Sequence, residues 1–279
     1  MLIKVKNCTK YKENFSVEVE YIDAFSTKIY PDGKGGQLGD RGVINGIKIL
    51  EVKTDKIIIE NSIIDGIYEY EIDMNRRKDI ATQHTAEHLF AGIMYSDYNF
   101  NTVGFQMGED KTTLDFDFDN FTDELVEEIE KKVNLAIAKG AKVLSSIVPK
   151  EEIEEKEELR KKISPKITDK DIRVIKIEGY DICACSGFHL DDIKDIRIFK
   201  IISYKKIKGK YTRFTFLAGD RAIKDYDVKM KIVKELNEMF SSRDFELVER
   251  IDKNRKKLKE LKKEYNNLLR EQSKEEKND

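Results

Sequence analysis

The segment Gln83-His84-Thr85-Ala86-Glu87-His88-Leu89-Phe90 decides how the rest of the chain must fold. It reads as a helix, and residues four apart on a helix lie on the same face, so His84 and His88 can share one metal ion. The chain has three histidines. The remaining one, His189, follows Cys185 by the same step in Cys183-Ala184-Cys185-Ser186-Gly187-Phe188-His189. Either pair alone is a weak signal, because short motif matches are frequent and buried cysteines are common. Together, three imidazoles and a cysteine make a tetrahedral zinc set. Cys183 is a less favoured substitute for Cys185, lying six residues from His189 instead of four. The two pairs are far apart in sequence, so zinc binding demands a fold that returns a late segment to the helix.

On the N-terminal side of the helix, residues 1–72 read as β structure. Phe15 to Tyr21 and Ile67 to Ile72 alternate with period two, and Ile44 to Val52 and Lys56 to Glu60 are short apolar runs between turn residues. That pattern predicts a small barrel. The loop Tyr30 to Gly42 carries five glycines, more than a hairpin needs. The backbone of Gly35, Gly36 and Gln37 is therefore expected to approach a ligand and cover a pocket. Asp73 or Asn75 is placed to cap the helix. Arg76, Arg77 and Lys78 in its first turns are read either as a solvated face or as contacts to a phosphate backbone.

On the C-terminal side, Thr112 to Phe118 reads as a strand, Asp123 to Lys139 as an amphipathic helix on Leu125, Ile129, Val133 and Ile137, and Val143 to Val148 as a strand. Glu151 to Arg160 is a charge run read as a solvated helix turn or linker, and Pro165 a break. Asp171 to Glu178 reads as a strand that leads into the cysteine pair. Ile196 to Tyr204 and Tyr211 to Leu217 form an antiparallel pair about the basic turn 205–210. From Arg221 the chain reads as helix to its end. Leu247, Ile251, Asn254, Leu258, Leu261, Tyr265 and Leu268 form a heptad seam, expected to pair with another helix. A basic stripe along it, from Lys253 to Arg270, suits either RNA phosphates or solubility. The expected domains are a β-barrel at 1–72, a zinc-binding α+β domain at 73–225 and a helical coiled-coil extension at 226–279.

The composition sets limits. With 279 residues, a net charge of −2 and 38% charged residues, the chain is no bulk basic nucleic-acid binder, and local patches matter more than the total. Three cysteines make no disulfide framework, which fits a reduced compartment. The N-terminus has no apolar run of signal-peptide length, and no stretch is long enough to span a bilayer. A soluble, cytoplasmic protein with no membrane partner is expected.

With these motifs in hand, the chain resembles the alanyl-tRNA editing proteins (the AlaX family) and the editing domain of alanyl-tRNA synthetase. His84-Thr85-Ala86-Glu87-His88-Leu89 resembles their HxxxH motif, Cys185-Ser186-Gly187-Phe188-His189 their CGGTH motif, and Tyr30 to Gly42 their FYPxxGGQxxDxG segment with one extra residue. Thr102 to Glu109 and Tyr211 to Asp225 are similar to further family segments. The resemblance implies a translation-factor-like barrel followed by the editing domain shared with threonyl-tRNA synthetase. It also implies a zinc-dependent esterase that removes serine or glycine from tRNA for alanine, with His84, His88, Cys185 and His189 at the metal positions. Four departures stand out: Phe188 for threonine, Ser186 for glycine, Gln106 for histidine, and Glu87 for glutamine or threonine.

Ester hydrolysis needs an activated water and a pocket for the amino acid. Glu87, three residues from His84, is a candidate general base, though a solvated helix glutamate is the commoner case. Gln106 is a second candidate catalytic residue, and Thr102, Gln106 and Thr112 are candidates for reading a seryl hydroxyl. The expected partners are mischarged tRNA and a second copy of the chain through the C-terminal helix. The alternative is a catalytically altered tRNA-binding or dimerising module with a structural zinc. A zinc protease is disfavoured, because HTAEH lacks the glutamate beside the first histidine of HExxH.

Overall fold

The computed structural model describes residues 1–22, 27–154, 159–160 and 169–275. Residues 155–158 of the charge run and Pro165 lie outside the described residues. The chain divides into two compact units, Met1–Ala222 and Ile223–Asp279. The fold is α+β, with an N-terminal six-stranded barrel and a C-terminal helix.

The barrel uses β1 (Leu2–Tyr11), β2 (Asn14–Tyr21), β3 (Gly42–Ile44), β4 (Ile47–Val52), β5 (Ile57–Ile59) and β6 (Gly66–Ile72). They close in the order β1-β2-β5-β4-β3-β6. Alternation puts Ile3, Val5, Val17, Ile44, Ile59 and Tyr70 inside, each at most 1% exposed. Closure leaves no free edge.

Helix α1 (Met74–Tyr98) follows directly. Asp73 caps it, its Oδ1 accepting from Arg76 N at 3.0 Å, and Asn99 ends it in the left-handed region at φ 57°. From Ile80 to Met94 every residue is buried, so α1 has no wet face and runs through the middle of its unit. Two of the elements that cover it come later in the chain. One is a four-stranded sheet ordered β12-β13-β8-β7, from β7 (Thr102–Met107), β8 (Thr112–Phe116), β12 (Phe199–Ile207) and β13 (Tyr211–Ala218). The other is helix α2 (Asp123–Lys139), capped by Thr122, which buries Val126, Ile129, Val133, Ala136 and Ile137. Phe90 of α1 meets Phe116, Phe199, Phe214 and Phe216 at centroid distances of 5.2, 5.2, 5.5 and 6.0 Å. A second sheet, β9 (Val143–Pro149), β10 (Asp171–Ile177) and β11 (Asp181–Ala184), is ordered β11-β10-β9 and brings the cysteine pair to α1; a short helix, α3 (Lys150–Glu154), follows β9.

Three expectations are corrected. Ile196 ends a 3₁₀ turn at Ile193–Ile196, and the strand begins only at Phe199. Arg76 and Arg77 form neither a solvated face nor free phosphate contacts. Arg76 makes paired 2.7 Å hydrogen bonds to Glu109 and donates to Gly39 O at 3.0 Å, while Arg77 binds Asp40 and donates to Lys28 O. Both tie the helix start to the glycine-rich loop. The C-terminal helix is not continuous: α4 (Asp220–Phe240) stops where Ser241 takes φ 49°, and α5 (Leu247–Glu275) starts after a 3₁₀ turn at Asp244–Glu246. A left-handed residue cannot continue a right-handed helix. Among the described residues, no helix is long and apolar enough to cross a membrane.

Candidate metal centre

A helix buried on all faces must find partners for its polar side chains. Gln83 bridges to β13, donating to Ala218 O at 2.8 Å and accepting from Ala218 N at 3.0 Å. Thr85 accepts from Leu190 N at 3.0 Å. His84 and His88 turn toward the segment after β11, where Cys185 and His189 stand. One ligand atom from each of these four residues lies within 4.8 Å of the other three. Cys185 Sγ is 3.5 Å from His84 Nε2 and 3.3 Å from His189 Nε2. Zinc with Zn–S of about 2.3 Å and Zn–N of about 2.05 Å has tetrahedral S···N edges of about 3.6 Å, so the donor set fits that ion in type, number and spacing.

The other nitrogen of each imidazole is held from behind, the arrangement that sets ring orientation at metal sites. Gln37 Oε1 lies 2.7 Å from His84 Nδ1 and also accepts from Phe188 N at 3.0 Å. The backbone N–H can only donate, so this amide end is the oxygen. His84 Nδ1 is then the donor, and its Nε2 is left for the metal. Asp181 Oδ2 takes His88 Nδ1 at 2.8 Å, and Thr85 Oγ1 lies 3.3 Å from His189 Nδ1. Asp181 is in turn held by Arg160, whose Nε donates at 2.6 Å, while Arg160 Nη1 donates to Thr102 Oγ1 at 2.9 Å. On the far side, Arg173 Nη1 donates to the carbonyls of Cys185 and Gly187 at 3.1 and 2.6 Å, fixing the ligand loop to β10.

These contacts set the protonation states. Burial raises the Cys185 thiol, but hydrogen bonds from His189, His84 and His88 outweigh it and bring it down to about 2, so the sulfur is a thiolate at neutral pH. His189 is pulled down to about 3, by burial and then by the charge of His88. His88 moves well above the usual imidazole value: burial opposes this, and Glu87, Asp181 and Cys185 prevail. Zinc takes neutral imidazole and thiolate, so on uptake at pH 7 His88 should give up a proton and Cys185 should give up none. Zinc affinity should rise with pH until His88 is neutral, then level off. Calorimetry in buffers of different ionisation enthalpy counts the protons; a release near zero would mean that His88 is already neutral before zinc arrives.

A cavity of about 570 Å³ opens beside the four ligands, with His84, His88 and Cys185 on its wall together with Gly35, Glu87, Thr102, Phe105, Arg160 and Arg173. Glu87 is 5% exposed, so the solvated reading does not hold, and its Oε2 lies 3.7 Å from His88 Nε2. The structure does not bring Gln106 or Thr112 into this cavity. Gln106 pairs with Thr113 and is exposed on the outer face of its sheet; it is the preceding residue, Phe105, that turns inward and stacks on His84 at 5.4 Å. Thr112 is 0% exposed between Met107 and Phe216, inside the sheet, and its hydroxyl has no hydrogen-bond partner among the described residues.

The glycine-rich loop acts as a strut more than a cover. Gly36 has φ 75°, and a Cβ there would meet the Phe105 ring at 2.7 Å, so the loop presses on the ring that backs His84. Gln37 takes part through its side chain, not its backbone. Phe188 points away from the cavity, between the Tyr30 ring at 4.8 Å and the Arg77 guanidinium at 4.5 Å, and serves the centre only through its N–H. Asp181, Arg160 and Thr85 were not singled out in the sequence. A carboxylate four residues before Cys185 is the one signal that pointed to any of them.

Comparison with known proteins agrees with this architecture. Residues 172–215 match the family described as the threonyl and alanyl tRNA synthetase second additional domain, a stretch that includes Asp181, Cys185 and His189. A Xenopus laevis protein named alanyl-tRNA editing protein Aarsd1-B is 32% identical over 250 residues, covering 88% of this chain and 60% of that protein. Aarsd1 of Mus musculus is 30% identical with the same two coverages, 88% and 60%. The alanine–tRNA ligase of Ignicoccus hospitalis is 30% identical over 274 residues, 91% of this chain and 30% of the ligase. The chain thus spans about 60% of the length of the editing proteins it matches. Over most of its length the chain is similar to alanyl-tRNA editing proteins and to part of alanyl-tRNA synthetase.

Proposed function

We propose that this chain is a zinc-dependent hydrolase acting in trans on mischarged tRNA for alanine, with the seryl ester preferred and the glycyl ester second. One observation carries the reading: four ligand atoms from α1 and a remote loop converge within 4.8 Å, and three of their residues, His84, His88 and Cys185, stand on the wall of a cavity of about 570 Å³. That volume is within the range of small-ligand sites and suits an aminoacyl-adenosine end. Four protein ligands fill the tetrahedral positions, so zinc held by His84, His88, Cys185 and His189 would act by position, or would supply Lewis acidity at the scissile carbonyl once one ligand gives way.

The chain's own residues do the rest. Phe105 and Gly35 wall the cavity, and Arg160 fixes Thr102, leaving its hydroxyl at the wall as the reader of a seryl hydroxyl. A site that hydrogen-bonds a hydroxyl rejects the analogue lacking it, because its own polar group is left unpaired. Serine is thereby removed and alanine spared. A substrate from translation fits a cytoplasmic location. We assign residues 1–72 to the barrel domain, 73–225 to the editing domain and 226–279 to the helical extension. On that extension Leu258, Leu261, Tyr265 and Leu268 are all more than half exposed, which favours a coiled coil with a second copy of the chain.

Single-turnover deacylation of tRNA for alanine charged with serine, glycine or alanine tests the reading. Serine should be released more than about tenfold faster than alanine. If no mischarged tRNA is deacylated, the chain is instead a tRNA-binding module with a structural zinc.

A further inference from the structure

Glu87 is the one buried polar side chain of α1 that makes no hydrogen bond among the described residues, although its charge acts on His88 and Arg160. Thr82, Gln83, His84, Thr85 and His88 each make a hydrogen bond. Glu87 makes none among the described residues, and its nearest ionisable partner is His88 Nε2 at 3.7 Å, beyond hydrogen-bond reach. Of the cations on the same cavity wall, Arg160 is committed to Asp181 and Thr102, Arg173 to Ser145 and the carbonyls of Cys185 and Gly187, and Lys34 lies exposed over the Tyr30 ring. The other described carboxylates lining the cavity, Asp169 and Asp171, are exposed at its rim. A carboxylate accepts hydrogen bonds and donates none, and a buried one without donors is costly. Such a group on a cavity wall awaits a donor that arrives with the ligand.

We propose that Glu87 receives the free α-ammonium of the aminoacyl ester. This rests on the deacylase reading and deepens it. In an aminoacyl ester the ammonium nitrogen lies about 2.5 Å from the carbonyl carbon, set by two covalent bonds. A carbonyl drawn to the histidine side of the cavity therefore carries its ammonium to the wall beside His88, where Glu87 stands. Esters whose amine is acylated, as in peptidyl-tRNA, offer no cation and are refused. This role differs from that of a general base, which would serve blocked and free amines alike.

Non-hydrolysable seryl and glycyl amides of 3′-amino-3′-deoxyadenosine, with N-acetyl and α-hydroxy counterparts, test it by calorimetry on the zinc-loaded chain. The wild type should bind the free amines about 10–100-fold more tightly than either counterpart, the worth of one charge-assisted hydrogen bond. Glu87→Gln should reduce that ratio to about threefold or less, for seryl and glycyl alike, with zinc content unchanged. An unchanged ratio in Glu87→Gln overturns the proposal, as does a loss confined to the seryl compounds, which would make Glu87 a hydroxyl reader. Should Glu87→Gln fail to fold, the wild type decides alone: equal affinity for the α-hydroxy and α-amino forms rejects the idea. Amine-dependent binding without deacylation of any charged tRNA would sink the hydrolase reading and leave this one standing. Deacylation without amine dependence would do the opposite.

Discussion

Replacing Asp181 with alanine should destabilise the zinc-free protein by about 3–5 kcal/mol and weaken zinc binding by about 10–100-fold. Two different physical effects meet at this carboxylate. Its side chain is 0% exposed and that of Arg160 is 7% exposed, so the substitution strands a buried guanidinium. Breaking a buried ion pair from one side costs several kcal/mol because the remaining charge keeps its desolvation penalty. The same carboxylate orients His88, and losing such a partner costs metal affinity without touching a ligand. The Asp181 carboxyl is held below its usual range: burial opposes this, and His88 and Arg160 prevail. The stabilisation is therefore present at neutral pH and is lost as pH falls through the folded-state value. His88→Ala is the contrasting variant. It removes a ligand but leaves Asp181 paired with Arg160, so zinc is lost at a smaller cost in stability. Urea denaturation of the chelator-treated proteins and zinc competition with a chromogenic chelator separate the two. A stability loss below about 1 kcal/mol for Asp181→Ala would mean that Arg160 finds another partner, and the network as drawn would be wrong.

What could be read from the residues alone was the part carried by spacing. The HxxxH step, the four-residue Ile129, Val133 and Ile137 stripe of α2, and the period-two strands of the barrel are local patterns, and each appears as a helix or strand in the structure. The ligand cluster was legible because histidine is so rare here that two matched pairs used all of it. What failed was anything decided across space. Gln106 and Phe105 are neighbours, and only strand register says which faces the metal side. Arg160 ends a charge run in which nothing marks it as the buried one, since the Asp181 that captures it is distant in sequence. Glu87 looked like any helix glutamate because the periodicity test assumes a wet face, and α1 has none between Ile80 and Met94. The end of α4 was missed for a different reason: Ser241 is a weak breaker, and its left-handed backbone sits in a turn where Ser242 N donates to Asn237 O, with no glycine or proline to mark it.

Gly187→Ala should abolish tight zinc binding, lowering affinity by about 10²-fold or more while the secondary structure persists. Gly187 lies midway between Cys185 and His189, and a Cβ there would fall 2.2 Å from His84 Cε1, 2.3 Å from His84 Nδ1 and 2.5 Å from Gln37 Oε1. One side or the other must move. His84 cannot swing away cheaply, since Gln37 holds its Nδ1 at 2.7 Å and Phe105 stacks on its ring at 5.4 Å. Gln37 cannot yield without releasing Phe188 N, and Gly36 behind it already presses on Phe105. The loop is equally fixed, by Arg173 on two of its carbonyls and by Gly187 N donating to Cys185 Sγ at 3.3 Å. If the loop shifts, Cys185 and His189 leave the cluster together; if the helix side shifts, His84 leaves it. Either way the four ligand atoms no longer lie within 4.8 Å of one another. Overpacking of this kind costs about 1–3 kcal/mol, less than the stability of a typical domain, so the variant should fold. Competition against a chelator of known affinity reads the zinc constant, and far-ultraviolet circular dichroism checks the fold. A Gly187→Ala protein that bound zinc within about threefold of the wild type would show that this approach is looser than the contacts require, and the case for a preorganised centre would fall with it.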